Sequence, residues 1–334
     1  MTGIGICGMG IIGRCALRAA LGNKLFAPVA VSDIKDPATL ATLLAVDSNY
    51  GRWPERVKYE DGHLVIGARR IRFVDANEGA PEWGKLGVGV VIDCTSFAVR
   101  RPGAEAHFGR GAKKVLVSAA SKTAGDCDIF LLRGINEEAY DPAAHHIVSM
   151  ASCTTNALAP LVKVLLAHWG IASGFFSTVH AYTNTQSLID QPLANRRDSW
   201  AAAANIIPAE SGAAKALRFV WPDLPITGKA YRVPVPTGSI VELVARMEKE
   251  CTAEQVRDAF RAAASSPPLE GVMGVFEEEF ASSRIVGESL SSIVDLPLVQ
   301  VMNGRLLSVA AWYDNQMGYA TRLVETALEL ASSV

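Results

Sequence analysis

The sequence predicts two domains of different architecture: an α/β domain on a parallel sheet, then an α+β domain with a mixed or antiparallel sheet. Three observations predict it. Over the first 150 residues short apolar runs alternate with helical patterns, the order that builds a parallel sheet covered on both faces. Beyond them the strand-like runs alternate in polarity or are rich in β-branched residues, which suits a sheet with one covered face. The chain has 334 residues, room for two domains, and shows neither an internal repeat nor a low-complexity linker.

Ile4 to Cys7 is the first apolar run, and Gly8-Met9-Gly10-Ile11-Ile12-Gly13 follows it. A helical pattern continues through Ala16, Leu17 and Ala20. Ala27 to Ser32 reads as a second strand that closes at Asp33. Val88 to Ile92, Val115 to Val117 and Ile147 to Met150 supply further strands. In the second half, Cys153 to Trp169 predicts a helix, with Leu158, Leu161, Val162, Leu165 and Leu166 on one stripe. Strands are expected at Phe175 to Tyr182, Ile240 to Met247 and Leu306 to Tyr313. Met317 to Ser332 closes the chain as a helix.

Acidic and basic residues nearly cancel, 34 against 32, so no bulk field draws the chain to nucleic acid or to an anionic membrane. No apolar run reaches the ~18 residues of a membrane helix. Met1 to Leu21 is apolar but lacks a basic start, and glycines punctuate it, so it is no signal peptide and a soluble cytoplasmic protein is expected. The six cysteines are scattered, with no C-x-x-C pair and no regular spacing to histidine, which predicts free thiols and no metal site.

The glycine turn follows a strand and opens a helix, and Asp33 stands 20 residues beyond Gly13 at the end of the next strand. That context is the one a Rossmann dinucleotide-binding domain requires. Gly8 permits the tight turn, and Gly10 lets the backbone approach a pyrophosphate seated on the helix N-terminus. Asp33 is placed to accept the adenosine ribose hydroxyls, and its charge repels a 2′-phosphate, which favours NAD over NADP.

Ser152-Cys153-Thr154-Thr155-Asn156 precedes the apolar stripe of the next helix. A thiol there meets unpaired backbone N–H groups and the positive end of the helix dipole, which lower its pKa. The same amides suit the oxyanion of a tetrahedral adduct. Taken alone, a half-buried structural cysteine is an equal alternative. His180, at the end of the strand from Phe175 and before Ala181-Tyr182-Thr183-Asn184-Thr185, is the candidate base. His63, His107, His145, His146 and His168 lie in polar or helical stretches and read as solvated or structural.

At these residues the sequence resembles the glyceraldehyde-3-phosphate dehydrogenase family over essentially its whole length. The carrying motifs are Ser152 to Asn156, His180-Ala181-Tyr182-Thr183, Asn205-Ile206-Ile207-Pro208 with Gly212-Ala213-Ala214-Lys215-Ala216, Arg232-Val233-Pro234, and Trp312-Tyr313-Asp314-Asn315. The resemblance implies an NAD-binding domain at 1–151, completed by the C-terminal helix 316–334, a catalytic domain at 152–315, and a homotetramer. It implies that Cys153 attacks an aldehyde, that His180 accepts the thiol proton, and that hydride transfer to NAD leaves a thioester which inorganic phosphate cleaves to an acyl phosphate.

Carried onto this chain, the resemblance gives Ile11 and Ile12 backbone contacts to the pyrophosphate and Asp33 the ribose. It puts Ser118 beside the nicotinamide and Asn315 on its carboxamide. Pro192 stands where NAD-using members carry proline. Thr183 and Arg232 would hold the phosphate of the aldehyde, with Thr185 and Arg197 beside them. Ser152, Thr154, Ser211 and Gly212 would line the site of the attacking phosphate.

The chain departs from the family at four places. Ile11 stands for an arginine, and Ala157 for a second cysteine. Asp198-Ser199-Trp200 follows Arg196-Arg197 where arginines usually continue, and Glu210 stands among small hydroxyl residues. A carboxylate gained and an arginine lost make an anion site less positive, and at an effective ε near 20 a charge 4 Å away is worth about 4 kcal/mol. The expected reaction is phosphorylating oxidation of glyceraldehyde 3-phosphate. The alternatives are another phosphorylated aldehyde such as erythrose 4-phosphate, a hydrolysed thioester, or an NAD-binding regulatory protein without catalysis.

Overall fold

The structure is a computed structural model that describes residues 2–77, 79–121 and 123–334. It divides into two compact units. The first takes in the chain up to Leu131 together with Glu138–Ala151 and Ala320–Val334, and the second takes in Leu132–Glu137 and Ser152–Tyr319.

The first unit is built on a nine-stranded sheet. From edge to edge it runs Ile129–Phe130, Ile147–Ser149, Lys114–Val117, Val88–Asp93, Gly3–Cys7, Ala30–Asp33, Arg69–Asp75, His63–Ile66 and Val57–Glu60. The seven strands from Ile129–Phe130 to Arg69–Asp75 pair in parallel. Numbered along the chain, those from Arg69–Asp75 to Ile147–Ser149 lie in the order 3-2-1-4-5-6, which puts a topological switch point between Gly3–Cys7 and Val88–Asp93. Ile6, Val90, Val115, Leu116, Ile147 and Val148 are wholly buried, as strands covered on both faces require.

Two features differ from expectation. The sheet is parallel only in part, because Val57–Glu60, His63–Ile66 and Arg69–Asp75 form an antiparallel meander at one edge. Its first turn is Asp61-Gly62, both with positive φ (47° and 71°), the two-residue geometry that matches strand twist. The second strand begins at Ala30 rather than Ala27. Pro28, with no N–H to donate, precedes it.

The second unit carries an eight-stranded mixed sheet. Its order is Ile207–Glu210, Ile226–Val233, Ile171–Ala181, Ser239–Met247, Leu306–Tyr313, Ser292–Asp295 and Met273–Phe276, with Gln300–Met302 also paired to Leu306–Tyr313. Ile171–Ala181 runs parallel to Ile226–Val233 and antiparallel to Ser239–Met247. The helix Cys153–His168 packs over this sheet and buries Leu158, Leu161, Val162 and Leu165 completely. Alternation along the strands leaves Phe175, Val179 and Val244 exposed.

Candidate active site

In the first unit the glycine turn is shaped by close approach. Gly8 has φ +89°, and a Cβ there would meet Thr95 Cγ2 at 2.9 Å. A Cβ on Gly13 would lie 1.9 Å from the Gly8 carbonyl oxygen, so the helix Ile11–Gly22 sits directly on the turn. Gly10 caps that helix without a side-chain hydrogen bond, is exposed, and has nothing within 4 Å of a built Cβ. The opening N–H groups of the helix, from Ile11 and Ile12 onward, therefore face open space, the arrangement that binds an anion.

Asp33 reaches back to this turn. Its Oδ2 accepts the Met9 N–H at 2.6 Å and its Oδ1 the Lys35 N–H at 2.9 Å, which leaves a lone pair on each oxygen for a diol. Ser118 follows the strand Lys114–Val117, and its N–H donates to Asp93 O at 2.9 Å. The open helix start and the carboxylate together fit NAD.

Beneath the turn lie Cys7, Asp93 and His107, three buried groups of metal-ligating type. Trp83 Nε1–H donates to His107 Nδ1 at 2.8 Å, so His107 Nε2 carries a proton and donates it to Asp93 Oδ2 at 2.9 Å. Burial first, then the Asp93 charge, pushes the Cys7 thiol up to about 12. Both imidazole nitrogens are engaged and the thiol is protonated, which makes the cluster a hydrogen-bonded brace.

In the second unit Ser152 caps the helix Cys153–His168. Its Oγ accepts the Thr155 N–H at 3.1 Å, which leaves Cys153 as the first helical residue. The preceding Ala151 has φ +55°, a left-handed conformation rare outside glycine. Cys153 Sγ lies 3.3 Å from His180 Nε2. His180 Nδ1 lies 2.7 Å from Ala181 O and 2.5 Å from Nη1 of Arg232, which is paired with His180 across the parallel strands.

Burial dominates the electrostatics of this pair. It pushes His180 down to about 3, with the Arg232 guanidinium acting in the same direction. It also raises the Cys153 thiol, against the opposing effects of Arg232 and of hydrogen bonds from Thr154. The net shift is therefore opposite to the one expected from the helix dipole: the helix-start amides do lower the thiol, but desolvation outweighs them. The resting pair is neutral, and moving the proton from sulfur to Nε2 creates two opposite charges in contact without changing the net charge.

Tyr313 has no role assigned from the sequence, yet it supports both Cys153 and His180. Its ring meets the His180 imidazole edge to face at 5.8 Å. Thr178 Oγ1 donates to Ile240 O, so it accepts from Tyr313 OH at 2.7 Å, and the Tyr313 oxygen in turn accepts from Thr154 Oγ1 at 3.0 Å. This chain ties the helix start to the strand that carries His180. Burial raises the phenol well above its usual value.

Arg232 also reaches an open cavity of about 780 Å³, with Thr185, Gln186, Arg196, Arg197, Asp198 and Glu210 among its lining residues. Thr183 stands beside it, bonded to Gln186. Ser152, Ser211 and Gly212 are not brought to this cavity: Ser152 is turned to Thr155, and Ser211 and Gly212 lead into the helix Ala213–Val220. Gln186 and Asp198 were missed as a pair. The Thr183-x-x-Gln186 spacing, in which the amide oxygen returns to the threonine N–H, was the readable signal.

Asn315 is buried, with Oδ1 surrounded by donors: Ser239 Oγ at 3.0 Å, Gly238 N at 3.2 Å and Thr237 Oγ1 at 3.4 Å. Those contacts fix the amide orientation and leave Nδ2 as its available donor. Ser239 Oγ accepts the Ala181 N–H at 3.1 Å as well, so one hydroxyl braces both Asn315 and the residue after His180.

Residues 2–101 match the family model of the glyceraldehyde 3-phosphate dehydrogenase NAD binding domain, and residues 152–315 match that of the C-terminal domain. The chain is 44% identical over 334 residues to glyceraldehyde-3-phosphate dehydrogenase of Geobacillus stearothermophilus, covering 98% of both chains. It is 48% identical over 336 residues to the enzyme of that name from Kitasatospora aureofaciens, covering 99% of this chain and 100% of the other. Against the Streptomyces coelicolor protein of the same name identity is 42% over 326 residues, 96% of each. Among the described residues no helix is long and apolar enough to cross a membrane.

Proposed function

This chain belongs to the glyceraldehyde-3-phosphate dehydrogenase family, and on that premise we propose how its residues carry out NAD-dependent, phosphorylating oxidation of glyceraldehyde 3-phosphate. The observation that carries the reading is the 3.3 Å contact between Cys153 Sγ and His180 Nε2 at the start of the helix Cys153–His168. No observation favours the erythrose 4-phosphate, hydrolytic or non-catalytic alternatives.

Cys153 sulfur bonds to the aldehyde carbon as its proton passes to His180 Nε2, and the imidazolium returns that proton to the former carbonyl oxygen, giving a hemithioacetal and a neutral His180. His180 then takes the hemithioacetal hydroxyl proton as hydride leaves the carbon, and the carbonyl re-forms as a thioester on Cys153. NAD supplies the hydride acceptor when bound. An oxygen of inorganic phosphate attacks the thioester carbon, the C–S bond breaks, and the sulfur recovers a proton, releasing 1,3-bisphosphoglycerate. The Ala181 carbonyl, which accepts from His180 Nδ1–H and from Arg232, and the ring of Tyr313 hold the imidazole with Nε2 free to take protons.

Gly8, Gly10, Ile11, Ile12, Asp33 and Ser118 form the NAD site, with Asn315 donating to the carboxamide. Arg232 and Arg197 serve the phosphate of the aldehyde, with Thr183 and Thr185 at the cavity edge. Ser152, Thr154, Ser211 and Gly212 serve inorganic phosphate. Residues 1–151 with the C-terminal helix are the NAD domain and 152–315 the catalytic domain. The protein works in the cytoplasm as a homotetramer; exposed Phe175 and Ile206, each 70% accessible, support burial against other copies. The decisive assay follows NADH formation from glyceraldehyde 3-phosphate with and without inorganic phosphate. Acyl phosphate as product is expected, and free acid formed at the same rate without phosphate would refute the phosphorylating step.

A further inference from the structure

The turn from Thr183 to Gln186 directs its donors inward, and Asp198 holds it in that state. Thr183 N–H donates to Gln186 Oε1 at 3.0 Å, and Thr183 Oγ1–H donates to the same oxygen at 3.1 Å. The Gln186 amide has one allowed orientation, because its oxygen must face an N–H and its nitrogen must face a carboxylate. That carboxylate is Asp198: Gln186 Nε2 donates to Oδ1 at 2.8 Å and also to Thr185 Oγ1 at 2.9 Å. Thr185 therefore accepts from Gln186 and turns its own proton towards Thr183 Oγ1, 2.9 Å away. The side-chain donors of Thr183, Thr185 and Gln186 are thus all engaged within the turn and with Asp198, beside the cavity that Thr185 and Gln186 line.

Asp198 lines the same cavity and is only partly buried. Its Oδ2 makes no hydrogen bond among the described residues, so it is an acceptor available to whatever enters. Glu210 lines the cavity too, so two carboxylates share it with Arg196, Arg197 and Arg232. A dianionic group in this space meets a carboxylate and finds the neighbouring hydroxyls engaged. A hydroxyl group finds an acceptor.

We propose that Asp198 is a specificity-determining residue: anchored to Gln186, it withholds the Thr183 and Thr185 donors from an anion and offers an acceptor to a hydroxyl. The site thereby admits polyhydroxy aldehydes without a distal phosphate alongside phosphorylated ones. This rests on the reading that the cavity receives the distal end of the aldehyde.

The test is the ratio of kcat/KM for glyceraldehyde 3-phosphate to kcat/KM for glyceraldehyde, in the full-length wild type, Asp198→Asn and Asp198→Ala. Asparagine keeps an acceptor for Gln186 and drops the charge, whereas alanine removes both. The ratio is expected to rise about threefold in Asp198→Asn and about tenfold in Asp198→Ala, through a lower KM for the phosphorylated aldehyde. A ratio that stays level or falls in both variants overturns the proposal. Arg232→Ala separates the two ways of failing. If it raises the KM for glyceraldehyde 3-phosphate, the cavity reading stands and only the role of Asp198 is lost; if that KM is unmoved as well, the cavity reading falls with it.

Discussion

Cys153 Sγ and His180 Nε2 stand 3.3 Å apart, although 27 positions separate the two residues in the chain. The contact arises because the strand Ile171–Ala181 brings His180 to the start of the helix that Cys153 opens. Tyr313 fastens those two elements through Thr154 and Thr178.

Cys153→Ala should lower turnover by at least about 10⁴-fold, as expected for loss of a covalent nucleophile. NAD binding should persist, since the glycine turn and Asp33 are untouched. Calorimetric titration with NAD beside an NADH-formation assay checks both halves, and loss of NAD affinity in step with turnover would contradict the assignment.

His180→Asn should slow both alkylation of Cys153 by iodoacetate and the pre-steady-state hydride step, each by about 10²-fold or more, the range for a positioned base. Equal alkylation rates in the two proteins would remove His180 from the proton transfer.

The His180 shift also makes stability depend on pH. The folded protein holds this imidazole near 3, below its unfolded value of about 6.5. Unfolding then takes up a proton between those values, so the stability tied to the neutral ring is full above about pH 6.5 and is lost as pH falls towards 3. Urea midpoints from pH 7 to pH 4 should fall less steeply in His180→Asn than in the wild type. Parallel slopes would exclude this source.

Tyr313→Phe should cost about 1–3 kcal/mol in urea unfolding, because it strips the acceptor from Thr154 and the donor from Thr178 inside the protein. Turnover should fall with it, while NAD affinity should hold. A variant as stable as the wild type would show that the phenol makes no net contribution.

The two glycines of the turn should respond oppositely to alanine. Gly10 is extended with a negative φ of −64°, which alanine also adopts, and has free space around a built Cβ, so Gly10→Ala should fold with little change in melting temperature. It should nonetheless weaken NAD binding by about tenfold or more, because the methyl occupies the approach to the helix start. Gly13→Ala should be destabilised outright, its Cβ lying 1.9 Å from the Gly8 carbonyl oxygen. Melting curves and NAD titrations of the pair distinguish a binding glycine from a packing glycine.

Local patterns made much of this molecule legible in the sequence. The strand–glycine turn–helix sequence with Asp33 beyond it, and the capped helix start at Ser152-Cys153, depend on residues close in the chain. The edge meander was missed although Asp61-Gly62 is a strong hairpin signal, because the alternation of helix and strand around it was read as continuous. The thiol shift was misjudged because a dipole is visible in a helix start, while desolvation depends on what the rest of the fold packs against it. The Gln186–Asp198 contact crosses an irregular loop, where no periodicity announces which side chains will meet.

Asn315 speaks with one polarity. Thr237, Gly238 and Ser239 already surround its oxygen, so it answers a lone pair and is indifferent to a hydrogen. On the proposal that this nitrogen donates to the nicotinamide carboxamide, a dinucleotide analogue that keeps the ring carbonyl but carries methyl in place of the amino group should bind as NAD does, and one stripped of the carbonyl should lose the contact.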